Sequence, residues 1–206
     1  TDATPGLLRS FSDPRIRLLE NETNLGLTRS LNIALRAARG KYIARLDADD
    51  TCHPERLSRQ AAWLDAHPAV GLLGSAVRGS KGEIQSGPME ETEIRWWLLF
   101  DNVFVHSSVM FRAELVRDGG YDESMSCSQD YALWSRWAGK TPMAKLPEPL
   151  VAISIHPGQI SQRRADEQKR CAVKTSLANL SSLMGEPVDE AARTARQLLK
   201  HLRERN

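Results

Sequence analysis

Three aspartates stand close together directly after a short segment that predicts a β-strand. The strand is expected over residues 41–46, and Asp47, Asp49 and Asp50 follow it. Because side chains alternate along an extended chain, Asp47 and Asp49 should point to the same side. Carboxylates this close repel one another, and Mg²⁺ or Mn²⁺ relieves that repulsion by binding one or two carboxylates together with substrate phosphates. The pattern therefore predicts a metal–diphosphate site at the carboxyl end of a strand.

A structural role for the same aspartates is an alternative. Asp clusters after a strand often form a turn, and Asp50 can cap a helix whose first turn contains Pro54. A calcium loop of the EF-hand type is excluded, because Cys52 stands where that loop needs Gly and Ser58 where it needs Glu. The local sequence leaves both the turn and the metal site open.

A second chemical interpretation rests on the run Asp47-Ala48-Asp49-Asp50-Thr51. It resembles the Asp-x-Asp-x-Thr motif of the haloacid-dehalogenase-like phosphatases, in which Asp47 would be the nucleophile and Asp49 the acid/base. That motif normally follows the first strand of its domain, whereas another strand is expected here before residue 41. The surrounding sequence must decide between a phosphatase and a metal–diphosphate site.

Composition limits the classes of protein and of partner. The 206 residues are enough for one domain with an appendage, which we expect at residues 1–160 and 161–206. A net charge of +2 gives no reason to expect a nucleic-acid partner. The three cysteines are widely spaced and predict neither a disulfide framework nor a zinc site, so a cytoplasmic location is expected.

The charge is concentrated at the carboxyl end. Residues 161–206 contain ten Lys and Arg against six Asp and Glu, which makes this segment +4 and the remainder −2. Helices of such a segment can lie on the anionic inner face of a membrane. The alternative, which we favour, is that they pack on the domain or on a second subunit.

The predicted elements alternate between strands and helices. A strand over 15–20, a helix over 28–38 and the strand over 41–46 predict a parallel strand pair with a right-handed crossover, and a ligand at the carboxyl ends of the strands. The other expected elements are strands at 70–77, 103–111 and 150–155, a hairpin within 79–87, and helices at 6–11, 54–67, 89–100, 113–117, 128–138, 160–184 and 187–204.

Four stretches, taken together, resemble the inverting family 2 glycosyltransferases of the GT-A fold. Each is weak alone, but their order and spacing over some 140 residues are specific. They are Asn24-Leu25-Gly26-Leu27-Thr28-Arg29-Ser30-Leu31-Asn32; Leu46-Asp47-Ala48-Asp49-Asp50 with His53-Pro54-Glu55-Arg56-Leu57; His106-Ser107-Ser108-Val109-Met110-Phe111-Arg112, leading to Gln129-Asp130-Tyr131; and His156-Pro157-Gly158-Gln159-Ile160-Ser161.

The resemblance implies an α/β fold, a three-layer α/β/α GT-A domain with a mostly parallel central sheet and a helical carboxyl-terminal tail. Family members begin with a strand–helix–strand unit that helps to bind the nucleotide base. This sequence starts where that unit ends, so roughly fifty residues of the family pattern are expected to be missing. An inactive fragment that is stabilised by self-association, as a homodimer, is therefore an alternative to an active enzyme.

The resemblance also implies the reaction and its central residues. A sugar would pass from a nucleotide-diphosphate donor, for which UDP is favoured, to a hydroxyl of a glycan or lipid-linked acceptor, with inversion. Asp49 would bind Mn²⁺ or Mg²⁺, Asp47 would contact the ribose or a metal-bound water, and His156 would add a metal or diphosphate contact. Asp130 would be the catalytic base; its alternative is to favour the dipole of a helix N-terminus.

Further residues are expected at the edges of the site. Asn24 and Arg29 would contact the donor. His106 would line or underlie the acceptor pocket, unless it is simply a satisfied half-buried histidine. Trp96 is expected to stack on an acceptor sugar, whereas Trp97 and Trp134 are expected in the core. The implied pathway is cell-surface polysaccharide or lipopolysaccharide synthesis.

Overall fold

The structure is a computed structural model that describes residues 3–117, 119–154, 159 and 164–188. Its helices are α1 (Thr4–Ser10), α2 (Leu27–Ala37), α3 (Arg56–Ala66), α4 (Glu91–Leu98), α5 (Gln129–Ala138) and α6 (Ala165–Met184), with 3₁₀ turns at His106–Ser108 and Ala113–Val116. Its strands are β1 (Tyr42–Ala44), β2 (Thr51–Cys52), β3 (Leu72–Arg78), β4 (Ile84–Gln85), β5 (Met110–Arg112) and β6 (Met143–Ala152).

The described strands form one mixed sheet. Its order is β1-β5-β3-β6-β2, and β4 pairs with β3 to form the expected hairpin. Only β3 and β6 run parallel; the other pairings in the described part of the chain are antiparallel. The expectation of a mostly parallel sheet is therefore wrong for these strands, because β5 returns between β1 and β3 in the opposite direction.

The sheet is covered on both faces. Leu72 of β3 and Phe111 of β5 belong to a core cluster that contains residues of α4 and α5, and α2 packs against it. The next residue of β3, Leu73, and Met110 of β5 instead pack with Leu64 of α3. Because adjacent side chains of a strand face opposite sides, these two clusters make the three layers of the expected α/β/α arrangement.

The first predicted strand is wrong. Residues 15–20 are not part of the described sheet, and Ile16, Leu18 and Leu19 are exposed. Weak alternation of apolar residues does not make a strand without a neighbour to pair with. The expected parallel pair with β1 is consequently absent; β1 instead pairs antiparallel with β5, with Ile43 opposite Phe111.

Two later strands also differ from expectation. Within 103–111 the backbone forms a 3₁₀ turn at His106–Ser108, and only the following β5 is extended. Because this segment is buried on both sides, the alternation of its apolar residues did not predict its backbone conformation. The last strand, β6, begins at Met143, well before the expected 150, and continues through Pro149, where its register with β3 shifts. Prolines in strands are typical of such irregularities, and they conceal a strand from sequence patterns.

The carboxyl-terminal helix α6 packs on the domain. Ser176 Oγ donates to Leu99 O at 2.9 Å, and Asn179 Nδ2 donates to Leu98 O at 2.8 Å and to Ser135 Oγ at 2.9 Å. This agrees with the packing alternative for residues 165–184. The helix expected over 187–204 lies almost wholly outside the described residues. Of the helices that the structure describes, none is long and apolar enough to cross a membrane.

Candidate active site

The three aspartates come together after β1. One carboxylate oxygen from each of Asp47, Asp49 and Asp50 lies within 4.8 Å of the others. Asp49 is exposed, whereas Asp47 and Asp50 are partly buried. Three converging carboxylates are a suitable donor set for Mn²⁺ or Mg²⁺, since both ions prefer oxygen ligands. The residues present therefore fit the metal that the resemblance implies.

Ser107 ties two of these aspartates together. Its buried hydroxyl donates to Asp50 Oδ2 and accepts hydrogen bonds from the backbone N–H of Asp47 and from Arg45 Nη1, each at 3.0 Å. On the other side, Ser154 N donates to Asp50 Oδ1 at 2.9 Å. Asp50 thus connects the end of β1 to the residues after β6. Asp50 is not a helix cap, since α3 begins at Arg56 and has no side-chain cap.

Arg45 supplies a buried positive charge to the cluster. Its side chain is 8% exposed and forms an ion pair with Asp47. Arg45 and Asp47 are two residues apart, so an extended chain places them on one side, as it does Asp47 and Asp49. Arg45 thus offsets the charge of Asp47. Carboxylates that converge this closely favour the binding of a divalent cation.

A second layer of polar residues lies under the end of β1. Arg56, 1% exposed, donates from Nη2 to the carbonyls of Arg45 and Val109 at 2.8 and 3.1 Å and from Nε to Gln60 Oε1 at 3.0 Å. Gln60 Nε2 in turn donates to Ser108 O at 2.9 Å. These bonds satisfy buried carbonyls at the point where β1 leaves the sheet. They hold the backbone that carries the acidic cluster.

His106 forms a buried pair with Tyr121. His106 Nε2 lies 2.8 Å from the Tyr121 hydroxyl, and the ring meets Trp134 edge-on. Desolvation lowers the pKa of His106 to about 4, opposed by Asp130 and assisted by Arg45. Burial likewise raises the pKa of Tyr121 well above its ordinary value. Both groups are therefore neutral near pH 7, within electrostatic reach of the acidic cluster and of Asp130.

Helix α2 fixes the position of Tyr121. The side chain of Asn32 accepts from Tyr121 N and donates to Tyr121 O, both at 2.9 Å. At Gly120 a Cβ would come within 2.4 Å of Asn32 Oδ1, so only glycine permits this approach. The pairing links α2 to the loop before α5.

Asp130 lies in the first turn of α5 and is partly buried. Asn102 Nδ2 donates to Asp130 Oδ2 at 2.8 Å, and Asn102 Oδ1 accepts from Phe104 N at 3.1 Å. The amide of Asn102 is thereby oriented by its own loop. This arrangement fixes one oxygen of Asp130.

Asn24 and Arg29, the other expected donor contacts, lie at the beginning of α2. Asn24 Oδ1 accepts from Gly26 N at 2.9 Å, and Gly26 has a φ of 79°, which favours glycine. Arg29 faces Glu123 at 3.5 Å with an exposed side chain. Both residues have local structural partners, and their contact with a donor stays a prediction.

The tryptophans divide as the sequence indicated. Trp134 is fully buried, and Trp97 packs partly buried against the same core cluster. Trp137 is also in the core. Trp96 is 51% exposed and makes a T-shaped contact with Phe100, and its stacking on an acceptor sugar stays a prediction. The expected metal contact His156 lies outside the described residues.

Four supporting residues were not predicted as part of the site: Arg45, Ser107, Asn102 and Asn32. Three of them had a signal in the sequence. Arg45 stands two residues before Asp47, a spacing that places both side chains on one side of an extended chain. Asn32 and Ser107 stand inside the stretches that resemble the glycosyltransferases. Asn102 had no such signal.

Sequence comparison identifies the family. The sequence profile of glycosyl transferase family 2 matches residues 1–120. An uncharacterised glycosyltransferase of Haemophilus influenzae is 30% identical over 198 residues, covering 88% of this chain and 61% of its own length. The amylovoran biosynthesis glycosyltransferase AmsE of Erwinia amylovora is 32% identical over 148 residues, covering 69% and 56%. The chain thus spans less than two-thirds of the length of these curated relatives.

Solved structures support the fold. S. aureus TarS in complex with UDP-GlcNAc superposes with a TM-score of 0.69 at 17% identity, covering 93% of this chain and 57% of TarS. The mannosyltransferase PcManGT from Pyrobaculum calidifontis, in complex with GDP-Man and Mn²⁺, has a TM-score of 0.57 at 18% identity, covering 97% and 68%. At these identities the likeness concerns the fold, and it confirms the GT-A architecture. The chain belongs to glycosyl transferase family 2.

Proposed function

We propose that this chain carries the metal-dependent half of an inverting glycosyltransferase, which moves a sugar from a nucleotide-diphosphate donor to an acceptor hydroxyl. The observation that carries the proposal is the convergence of Asp47, Asp49 and Asp50 within 4.8 Å. Family membership favours glycosyl transfer over hydrolysis of a phosphate ester by Asp47. The catalytic domain would be 1–160, with 161–206 as an extension.

Asp49 is the proposed direct ligand of the metal. It is the exposed member of the cluster, and its Oδ2 accepts from Gln159 Nε2 at 3.0 Å. Asp47 is ion-paired with Arg45, and Asp50 accepts from Ser107 and Ser154. Asp47 is left to contact the ribose or a metal-bound water. When bound, Mn²⁺ or Mg²⁺ would act as a Lewis acid that stabilises the charge of the leaving diphosphate.

Asp130 is the proposed general base. It would take the proton of the acceptor hydroxyl, an effect worth roughly 10²–10⁴-fold in rate. One of its oxygens accepts from Asn102, so the other is available to receive the proton in a fixed orientation. His106 and Tyr121 stay neutral and lie within electrostatic reach of that carboxylate. A base on the acceptor side and a diphosphate that leaves from the opposite side give inversion.

The donor and acceptor are proposed from the relatives. TarS has been solved with UDP and with UDP-GlcNAc, which supports a UDP-sugar; PcManGT with GDP-Man keeps GDP as an alternative. The names of AmsE and of the succinoglycan biosynthesis protein ExoO of Rhizobium meliloti refer to polysaccharide biosynthesis, which supports a glycan acceptor. A lipid-linked acceptor at the cytoplasmic face of a membrane is part of the same proposal. Trp96 would stack on the acceptor sugar, and Asn24 and Arg29 would contact the donor.

Calorimetry tests the donor side. UDP and GDP are titrated into the chain with and without Mn²⁺, and into Asp49→Ala and Asp65→Ala. Asp65 is a matched control because it is an exposed aspartate bound to Lys41 and Tyr42, outside the cluster. We expect Mn²⁺-dependent binding of UDP that Asp49→Ala loses and Asp65→Ala retains. Equal binding by wild type and Asp49→Ala would refute the metal role of Asp49.

A second experiment separates catalysis from binding. Asp130→Asn should keep Mn²⁺-dependent UDP binding and lose sugar transfer to a panel of bacterial exopolysaccharide oligosaccharides. Transfer by Asp130→Asn at the wild-type rate would rule out the base role. If neither protein binds UDP with Mn²⁺, the inactive self-associating fragment becomes the better description.

A further inference from the structure

The loop before α5 is held against α6 by a row of side chains. Ser126 Oγ donates to Glu167 Oε1 at 2.7 Å, and Ser128 Oγ donates to Gln168 O at 3.2 Å. Between these two bonds, the sulfurs of Cys127 and Cys171 are 2.7 Å apart. Three consecutive residues of the loop thus contact the first turns of α6.

The two cysteines differ in access to solvent. Cys127 is 3% exposed, whereas Cys171 is partly exposed; both are free thiols, as is the exposed Cys52. They are 44 residues apart in sequence, a separation that matches no cysteine motif. Only the packing of α6 on the domain brings them together.

We propose that Cys127 and Cys171 are a redox modification site, which closes reversibly to a disulfide that joins α6 to the loop before α5. A disulfide bond is about 2.05 Å long, so the sulfurs need to approach by only about 0.7 Å. The hydrogen bonds on either side already hold the two backbones in place. The inference concerns the chain itself and does not depend on the proposed transferase activity.

The chemistry requires an oxidant, for which a low-molecular-weight disulfide such as oxidised glutathione is sufficient. The thiolate of Cys171 attacks one glutathione sulfur, forms a mixed disulfide and releases the other glutathione, which takes up the proton that Cys171 lost. The Cys127 sulfur then attacks the Cys171 sulfur, forms the protein disulfide and releases the second glutathione, which takes the Cys127 proton. One disulfide is consumed and one is formed, and two electrons pass from the protein thiols to glutathione.

The order of attack follows from the surroundings of each thiol. Burial raises the pKa of Cys127 to about 11, and its contact with Cys171 contributes. Cys127 is therefore protonated at neutral pH and shielded from a bulky oxidant. Cys171 is partly exposed, so it is the thiol that reacts first with the oxidant. A disulfide of this kind in a reducing compartment is transient rather than structural.

The disulfide would restrict the backbone motion of the first turn of α5. Asp130 lies three residues after Cys127. Between them, Ser128 adopts a left-handed backbone conformation with a φ of 54°. Joining residues that are 44 apart restricts the unfolded chain, which should raise the melting temperature by on the order of 10 °C. Amide hydrogen exchange around residues 126–132 should slow in the oxidised form.

The test uses the whole chain, with Cys52→Ser to remove the exposed thiol. After treatment with oxidised glutathione, this variant should lose two hydrogen atoms in mass, carry no glutathione, and yield a linked peptide pair containing Cys127 and Cys171. Reduction should restore the mass and the lower melting temperature. Cys171→Ser on the same background should show neither the mass loss nor the shift.

Two results would overturn the inference. One is that both Cys127 and Cys171 react with an alkylating agent in denaturant after oxidation. The other is that Cys171 carries a stable glutathione adduct without forming the link to Cys127. Because both results are read on the Cys52→Ser chain itself, the test holds even if Cys171→Ser fails to fold.

Discussion

Replacement of Ser107 by alanine should damage both the stability and the metal affinity of the chain. The Ser107 hydroxyl makes one bond to the carboxylate of Asp50 and accepts one from Arg45 and one from Asp47 N. Bonds to charged groups contribute about 1.5–3 kcal/mol each and neutral ones about 0.5–1.5 kcal/mol. Since Asp47 and Asp50 are partly exposed, water recovers part of the loss, and we expect a decrease of about 2–4 kcal/mol in the free energy of unfolding.

Ser108→Ala is the matched control. Ser108 is as deeply buried as Ser107, but its hydroxyl makes one neutral bond, to Val105 O at 2.8 Å. This variant should lose only about 1 kcal/mol. Urea unfolding measures both decreases, with the slope of the transition checked to confirm the same two states.

The second readout of Ser107→Ala is Mn²⁺ affinity by calorimetry. Loss of the hydroxyl frees Asp50 and the Asp47 backbone, and removal of a residue that orients metal ligands typically weakens binding by about 10–100-fold. Ser108→Ala should bind Mn²⁺ as wild type does. If the two variants lose equal stability and both keep wild-type Mn²⁺ affinity, Ser107 does not organise the acidic cluster.

Three other predictions concern the acceptor side. His106, whose pKa falls to about 4 on burial, is protonated more readily in the unfolded chain, so stability should be complete above pH 6.5 and fall by roughly 3 kcal/mol as the pH drops through 4; His106→Gln should flatten that part of a stability–pH curve, and an unchanged curve would contradict the burial argument. Asn102→Ala should lower the rate of transfer about tenfold or more at unchanged UDP affinity, because Asp130 loses its orienting bond; an unaltered rate would show that the bond is dispensable. Trp96→Ala should raise the acceptor KM with little change in melting temperature, because the indole is 51% exposed and makes a T-shaped contact with Phe100; a large drop in melting temperature would make Trp96 a core residue instead.

Features that depend on neighbouring residues could be predicted from the sequence. The apolar face of α2 and end signals such as Pro54 before α3 placed these helices to within a few residues, because a helix and its ends are set by local spacing. The spacing of Asp47 and Asp49 predicted a shared side, and their carboxylates do converge. The order of short motifs was enough to predict the family and its GT-A fold.

Contacts between residues that are distant in sequence could not be predicted, because they depend on how the elements pack. Residues 15–20 have strand-like alternation but no pairing partner in the described sheet, and pairing is a property of two segments. Ser107 reaches Asp50 across 57 residues, and Ser154 reaches it across 104. Such hydrogen bonds leave no periodic trace in a sequence, because each partner is a common polar residue in its own segment. The contact between Cys127 and Cys171 could not be predicted for the same reason, since it forms only because α6 packs on α5.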